Sequence, residues 1–316
     1  MRIGIMGAGA VGGYYGAKLI HSQADVTFLV RENRKKQIEQ HGLIVKSTSG
    51  HYALKPKCVT DVTQGGPYDV VIVAFKNYHL TDAMEDLRTL VEQGAIILPL
   101  LNGVMHMDHL IAQLGANHVL GGSCYIETTL GSEGEVLQTG GTCEIVFGMT
   151  KEGMHDPHSK DVVNHLQDLF VKAGVPVRHH SPIRTEMWKK YIFLCALSGM
   201  TAACRLPLGR IMADSKARLT YHAMLRELVT VARAKGMEIP LDFADKTIER
   251  SAAIDPMLTS SMHRDLEKGL PLEVDSLQGA LIEMAQHVNI PVPVHETIYA
   301  VLSGHKQGKR TVSHYV

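Results

Sequence analysis

At 316 residues, with 45% hydrophobic and 20% charged residues, the chain has a globular composition and enough length for two domains of ordinary size. Lysine plus arginine equals aspartate plus glutamate at 32 each, so the formal charge is zero; no global field draws nucleic acid or an anionic membrane, and the expected partners are small molecules or other subunits. Five cysteines without a CxxC pair, a strand that begins at once and the lack of any bilayer-length apolar run predict a reduced, soluble, cytoplasmic protein with no signal peptide.

Arg2-Ile3-Gly4-Ile5-Met6 reads as a short buried strand, and Gly7-Ala8-Gly9-Ala10-Val11-Gly12 follows it directly, with a helix continuing through Leu19. This is GxGxxG between a strand and a helix. Gly7 turns the chain, Gly9 lets backbone approach a pyrophosphate, and Gly12 brings the helix against the strand. The free N–H groups and positive dipole end of the new helix face the phosphates. A second strand, Val26 to Val30, follows about twenty residues later, as a dinucleotide-binding unit requires.

Arg31 stands where an NAD-specific sheet usually carries a carboxylate for the ribose 2′-hydroxyl. An arginine there, with Arg34 or Lys35 nearby, matches the extra 2′-phosphate of NADP(H) in charge and bidentate geometry; the alternative is a solvated helix start. Leu43 to Lys46 and Tyr52 to Lys55 predict a small hairpin appended to the sheet. Tyr68 to Phe75 and Ala95 to Leu101 are apolar runs of buried parallel strands, ending in Lys76-Asn77 and Asn102-Gly103. Ligands lie beyond the carboxyl ends of such strands, which makes Lys76 and Asn102 site candidates; the alternative is a solvated lysine and a turn-forming Asn-Gly. Several short strands between Val119 and Gly148, separated by Gly131, Gly134 and Gly140-Gly141, predict a mixed or antiparallel sheet edge. A helix from Ser159 to Lys172 and a strand from Val175 to Arg178 complete the first domain, residues 1–181.

Strand signals stop after that. Residues 182–316 carry helical periodicity over Thr185–Ala203, Arg218–Lys235, Leu241–Ala252, Thr259–Lys268, Leu272–His287 and His295–Leu302, broken by prolines and glycines. The expected fold is α/β: an N-terminal Rossmann-type doubly wound sheet with a C-terminal all-helical domain. In the first of these helices Lys190 is surrounded by apolar side chains, and helical spacing puts Leu194 and Leu197 or Ser198 on its face. A lysine so placed can serve as general acid for a carbonyl; the alternative is a surface lysine running its stem past apolar neighbours.

With these pieces in this order, the chain resembles the ketopantoate reductase (2-dehydropantoate 2-reductase) family over essentially its whole length. The matching stretches are the N-terminal GAGAVG, Arg31, Phe75-Lys76, Leu101-Asn102-Gly103, Glu186-Met187-Trp188-Lys189-Lys190, Ser260-Ser261-Met262 with Asp265, and Glu273-Val274-Asp275 with Gly279. The resemblance implies NADPH-dependent reduction of a 2-oxo acid to the 2-hydroxy acid, as in pantothenate biosynthesis. It implies Lys190 as proton donor to the nascent alkoxide, Glu273 holding that lysine or the substrate hydroxyl, and Ser261 helping to bind the carboxylate. Asn102 would order substrate and cofactor, and Lys76 would support the nicotinamide side.

The chain departs from the family at two positions. Family members commonly carry asparagines one and two turns after the catalytic lysine, and here those positions are Leu194 and Ser198. A substrate hydroxyl facing Leu194 would lose its partner. Two alternatives follow: a reductase of a more apolar 2-oxo acid, or an NADP(H)-binding sensor without turnover. Pairing of the helical domain into a homodimer is left open. Of the eighteen histidines, His106 with His109, His155 with His158, and His179-His180 have suggestive spacing, yet none comes with cysteines or a carboxylate set, so no metal site is expected.

Overall fold

A computed structural model describes residues 1–154 and 156–309; His155 lies outside the described residues. One compact unit comprises Met1–Leu101 with His106–Met187, and the other Asn102–Met105 with Trp188 onward.

The first unit begins with β1 (Arg2–Met6), α1 (Ala10–His21), β2 (Asp25–Leu29) and α2 (Glu32–His41). Next come the hairpin β3 (Leu43–Ser47) and β4 (Gly50–Leu54), then β5 (Lys57–Val59), β6 (Val70–Val73), α3 (Met84–Glu92), β7 (Ile96–Pro99) and α4 (Met105–Leu114). Two long strands, β8 (Leu120–Leu130) and β9 (Val136–Met149), lead to α5 (Pro157–Lys172) and β10 (Val177–His179). One sheet has the order β5-β2-β1-β6-β7 with every pairing parallel. The direction of strand progression reverses between β1 and β6, which is the crevice position for a ligand in an open parallel sheet.

Two expectations are corrected here. The hairpin β3–β4 is not appended to the parallel sheet; β3 pairs with β9 in a second sheet of order β10-β9-β3-β4, with β8 also on β9. The stretch from Val119 to Gly148 is not several short strands but an antiparallel pair, β8 with β9. Gly131 and Gly134 turn the chain between them, whereas Gly140 and Gly141 lie inside β9, opposite a register shift around Glu127. Gly141 takes φ +82°, a local bulge that bends the strand without ending it.

The helix α1 is packed by both sheets. A Cβ on Gly16 would come within 2.3 Å of Phe28 of β2, and one on Gly13 within 2.8 Å of Val136 of β9. These glycines let two sheets close on one helix, which is why Gly12 through Leu19, Lys18 included, are all buried and the helix has no exposed face there.

The second unit is helical: most of α6 (Arg184–Cys204), then α7 (Leu208–Ala213), α8 (Ser215–Ala234), α9 (Phe243–Ala252), α10 (Ser261–Lys268), α11 (Ala280–His287) and α12 (Pro293–Ser303). Asp214 caps α8 by accepting from the Lys216 and Ala217 N–H groups, and Ser260 caps α10 by accepting from the His263 N–H at 3.0 Å. The helix expected over Leu272–His287 is interrupted at its start by a π-helical turn, Asp275–Gly279. Among the described residues no helix is long and apolar enough to cross a membrane.

Candidate functional site

In the first unit the loop after β1 is held by its own backbone. Gly7 has φ +106°, and a Cβ there would lie 2.9 Å from the Ala74 carbonyl; at Gly12 it would lie 2.0 Å from the Gly7 carbonyl. The fold itself therefore excludes any side chain at both positions. Gly9 differs. A Cβ there would meet only the Ala74 oxygen, at 3.9 Å, so protein packing does not require glycine. Gly9 is the N-cap of α1, no side chain caps that helix, and its first turn holds no acidic residue. An open cradle in front of an uncapped helix N-terminus fits a pyrophosphate, with the N–H groups of Ala10, Val11 and Gly12 as donors. Ala8 is buried, and its carbonyl accepts from Arg34 Nε at 2.9 Å.

That contact separates the two arginines. Arg34 also donates from Nη1 to the Gly134 carbonyl at 2.9 Å and to Gln37, and burial lowers its pKa below the ordinary arginine value. It braces the glycine loop against the β8–β9 turn. Arg31 is exposed as the N-cap of α2, and its Nη2 donates to Nδ1 of His79 at 3.0 Å. Lys76 is half-buried at the carboxyl end of β6 and heads the 3₁₀ turn Asn77–His79, its carbonyl accepting from the His79 N–H at 2.9 Å. Sequence reasoning missed His79. The available signal was its position three residues past Lys76, at the end of a strand neighbouring β1.

In the second unit three predicted residues meet. Lys190, half-buried on α6, donates from Nζ to Asn102 Oδ1 at 3.4 Å, and Asn102 Nδ2 donates to Glu273 Oε2 at 3.4 Å. These residues are 88 and 171 positions apart in the chain. Glu273 is 4% exposed and sits just before the π turn that leads into α11, where its carbonyl accepts from the Leu277 N–H and the Ser276 hydroxyl.

The π turn that follows is tied to α6 near the lysine. Tyr191 Oη donates to the Leu277 carbonyl at 2.6 Å, and Gln278 Nε2 donates to the Cys195 carbonyl at 2.8 Å. The loop that carries Asn102 rests on the same turn: Gly103 has φ +84°, and a Cβ there would come within 2.8 Å of the Ser276 carbonyl. Three separate segments are thereby held in one register, and a π turn is a common device for re-aiming side chains at such sites.

The remaining candidates are placed differently. Leu194, one turn beyond Lys190, is half-buried. Ser198 is fully buried, with its hydroxyl unpartnered among the described residues. Ser261 is the first residue of α10 and half-buried; its neighbour Ser260 makes the cap and accepts from Thr201 Oγ1 at 2.9 Å. Among the described residues no group of three or more His, Cys, Asp or Glu could hold a metal ion.

Comparison with known proteins adds to this geometry. The family model described as "Ketopantoate reductase PanE/ApbA" matches residues 3–152, and "Ketopantoate reductase PanE/ApbA C terminal" matches residues 182–307. The chain is 35% identical over 311 residues to the uncharacterized oxidoreductase YkpB of Bacillus subtilis, covering 98% of this chain and 100% of that one. It is similar to the crystal structure of 2-dehydropantoate 2-reductase from Geobacter metallireducens, with TM-score 0.86 and 29% identity over 96% of this chain and 99% of that one. The fold is shared at 19% identity and TM-score 0.85 with a D-mandelate dehydrogenase solved with NADH and anilino(oxo)acetate, over 97% and 98% of the two chains.

Proposed function

The chain belongs to the ketopantoate reductase family, and from that premise we propose that it reduces a 2-oxo acid, ketopantoate or a close relative, to the 2-hydroxy acid with NADPH, a reaction of pantothenate biosynthesis. The observation that carries this reading is the contact chain Lys190–Asn102–Glu273.

An ammonium only donates, so the Asn102 amide must offer Oδ1 to Lys190, and Nδ2 is left for Glu273. The buried carboxylate thus orients the amide, and the amide orients the lysine. Lys190 Nζ gives its proton to the substrate carbonyl oxygen, and its positive charge stabilises the oxyanion as that charge develops. Both contacts measure 3.4 Å, at the long end for a hydrogen bond. Ser261, at the first turn of α10, is the candidate for the substrate carboxylate.

A dinucleotide held here would supply the hydride. The backbone of Gly7, Ala8, Gly9, Ala10, Val11 and Gly12 would hold its pyrophosphate, Arg31 its 2′-phosphate, and Lys76 would support its nicotinamide side; Asn102, in the second unit, would order substrate and cofactor. Leu194 favours a second reading, a more apolar 2-oxo acid, and the shared fold of a D-mandelate dehydrogenase supports it.

The test is NADPH consumption, followed by its nicotinamide absorbance, with ketopantoate, 2-oxoisovalerate and phenylglyoxylate in parallel. We expect turnover with at least one. Efficient use of ketopantoate assigns the family substrate, and preference for an acid without the terminal hydroxyl assigns the second reading. No turnover with any of the three, NADPH binding intact, would overturn the reductase assignment in favour of a sensor.

A further inference from the structure

We propose that His79 is a second determinant of cofactor choice beside Arg31, and that it takes up one proton when a 2′-phosphorylated dinucleotide binds. The inference rests on the reading of Arg31 as the 2′-phosphate partner and deepens it.

The hydrogen bond between Arg31 and His79 decides where the ring proton is. A guanidinium has donors and no acceptor, so Nδ1 accepts at 3.0 Å and the proton sits on Nε2. The ring is held in place from several sides. It meets Tyr78 and Phe75 edge-on, at 4.6 Å and 6.5 Å between centroids, and its backbone N–H is bonded to the Lys76 carbonyl. An anion gripped by Arg31 therefore comes within reach of an imidazole that already presents an N–H.

The charged groups around the ring set its state. Arg31 faces it from the start of α2, Asp82 from the segment leading to α3, and Lys76 heads its own turn; Glu32 and Lys36 of α2 pair with each other at 3.5 Å. Desolvation first, and then Arg31, hold the His79 pKa below the ordinary 6.5, against the smaller opposite pull of Asp82. Without ligand the ring is neutral near neutral pH. A phosphate dianion reverses the local field and favours the imidazolium, in which both ring nitrogens donate; Nδ1 then no longer accepts from Arg31, whose guanidinium turns to the phosphate. The proton comes from solvent, and no covalent bond in the dinucleotide changes. A 2′-hydroxyl brings no charge, so NADH leaves His79 as it was. Affinity for NADPH should then rise as pH falls towards the ligand-free value of His79, beyond whatever the phosphate's own titration produces.

Isothermal titration of the full chain with NADPH and with NADH, in two buffers of different protonation enthalpy, measures this directly. Three proteins are compared: wild type, His79→Gln and Arg31→Ala. At roughly pH 7, wild type should take up a larger fraction of a proton per NADPH than His79→Gln, with no difference for NADH. The free dinucleotide's titration is common to both proteins and cancels in the difference, which leaves the joint protonation of His79 and the bound phosphate. Between roughly pH 8 and 6.5 the NADPH affinity of wild type should gain several-fold over that of His79→Gln. Unchanged NADH binding by His79→Gln reports an intact fold. Equal proton uptake by wild type and His79→Gln overturns the proposal while leaving the NADPH reading standing. If Arg31→Ala weakens NADPH and NADH equally, the NADPH reading falls and this one with it.

Discussion

Asn102 has its amide orientation dictated by its neighbours, and through it the helical unit places the Lys190 ammonium, which we propose as the proton donor, in line with a buried carboxylate. The family resemblance implies proton donation by Lys190; the spacing of residues alone favours a surface lysine running its stem past apolar neighbours. Replacing Lys190 with alanine should lower turnover by at least about a hundredfold, the usual contribution of a positioned general acid, with NADPH affinity changed less than about twofold. Single-turnover reduction together with fluorescence titration of NADPH measures both quantities, and wild-type turnover in the variant would remove the lysine from the mechanism. Residue by residue, Arg31, Lys76 and Asn102 could be singled out from sequence because each follows a recognisable strand, and the structure places those strand ends as expected. Glu273 was not. Its helix reads as an ordinary solvated face, and only the resemblance singled it out before the fold brought it to Asn102.

At the scale of the element, the glycine loop separates what folding requires from what binding requires. Gly12→Ala would press a methyl group against the Gly7 carbonyl and should cost roughly 1–3 kcal/mol of stability, read as a lower melting temperature. Gly9→Ala has open space around it and should melt like wild type while losing at least about tenfold in NADPH affinity. Equal destabilisation by both substitutions would show that Gly9 serves packing and not a ligand. The strand–loop–helix unit was readable from sequence because a GxGxxG turn and the first turn of its helix are local. The second sheet was not. Glycines at 140 and 141 read as strand breaks, but the pairing of β9 with β8 and β3 carries the ladder through them as a bulge.

For the whole molecule, the second unit carries a built-in sensitivity to acid. His295 is fully buried on α12, and its Nδ1–H donates at 2.6 Å to Glu227, whose carboxylate also accepts from the Val294 and His295 N–H groups. Desolvation lowers the His295 pKa below 6.5, outweighing the opposite pull of Glu227. The folded state therefore disfavours the proton that the unfolded chain accepts. The stability from this group is complete above pH 6.5, its ordinary value, and is lost as pH falls from there through the folded value. Melting temperature should fall from that point towards about pH 5, and His295→Gln should flatten the dependence; an unchanged slope in the variant would place the acid sensitivity elsewhere.

The sequence by itself determined the α/β and all-helical division, the glycine loop between β1 and α1, and the strand ends at which Arg31, Lys76 and Asn102 stand. Glycine conformation, hydrophobic period and strand–turn–helix order are set by residues near one another in the chain. Only the tertiary structure decided that α1 lies between two sheets, that Arg34 braces the loop while Arg31 meets His79, and that Lys190, Asn102 and Glu273 converge. Those contacts join residues 26 to 171 positions apart, and no local spacing encodes which distant side chain will close on which.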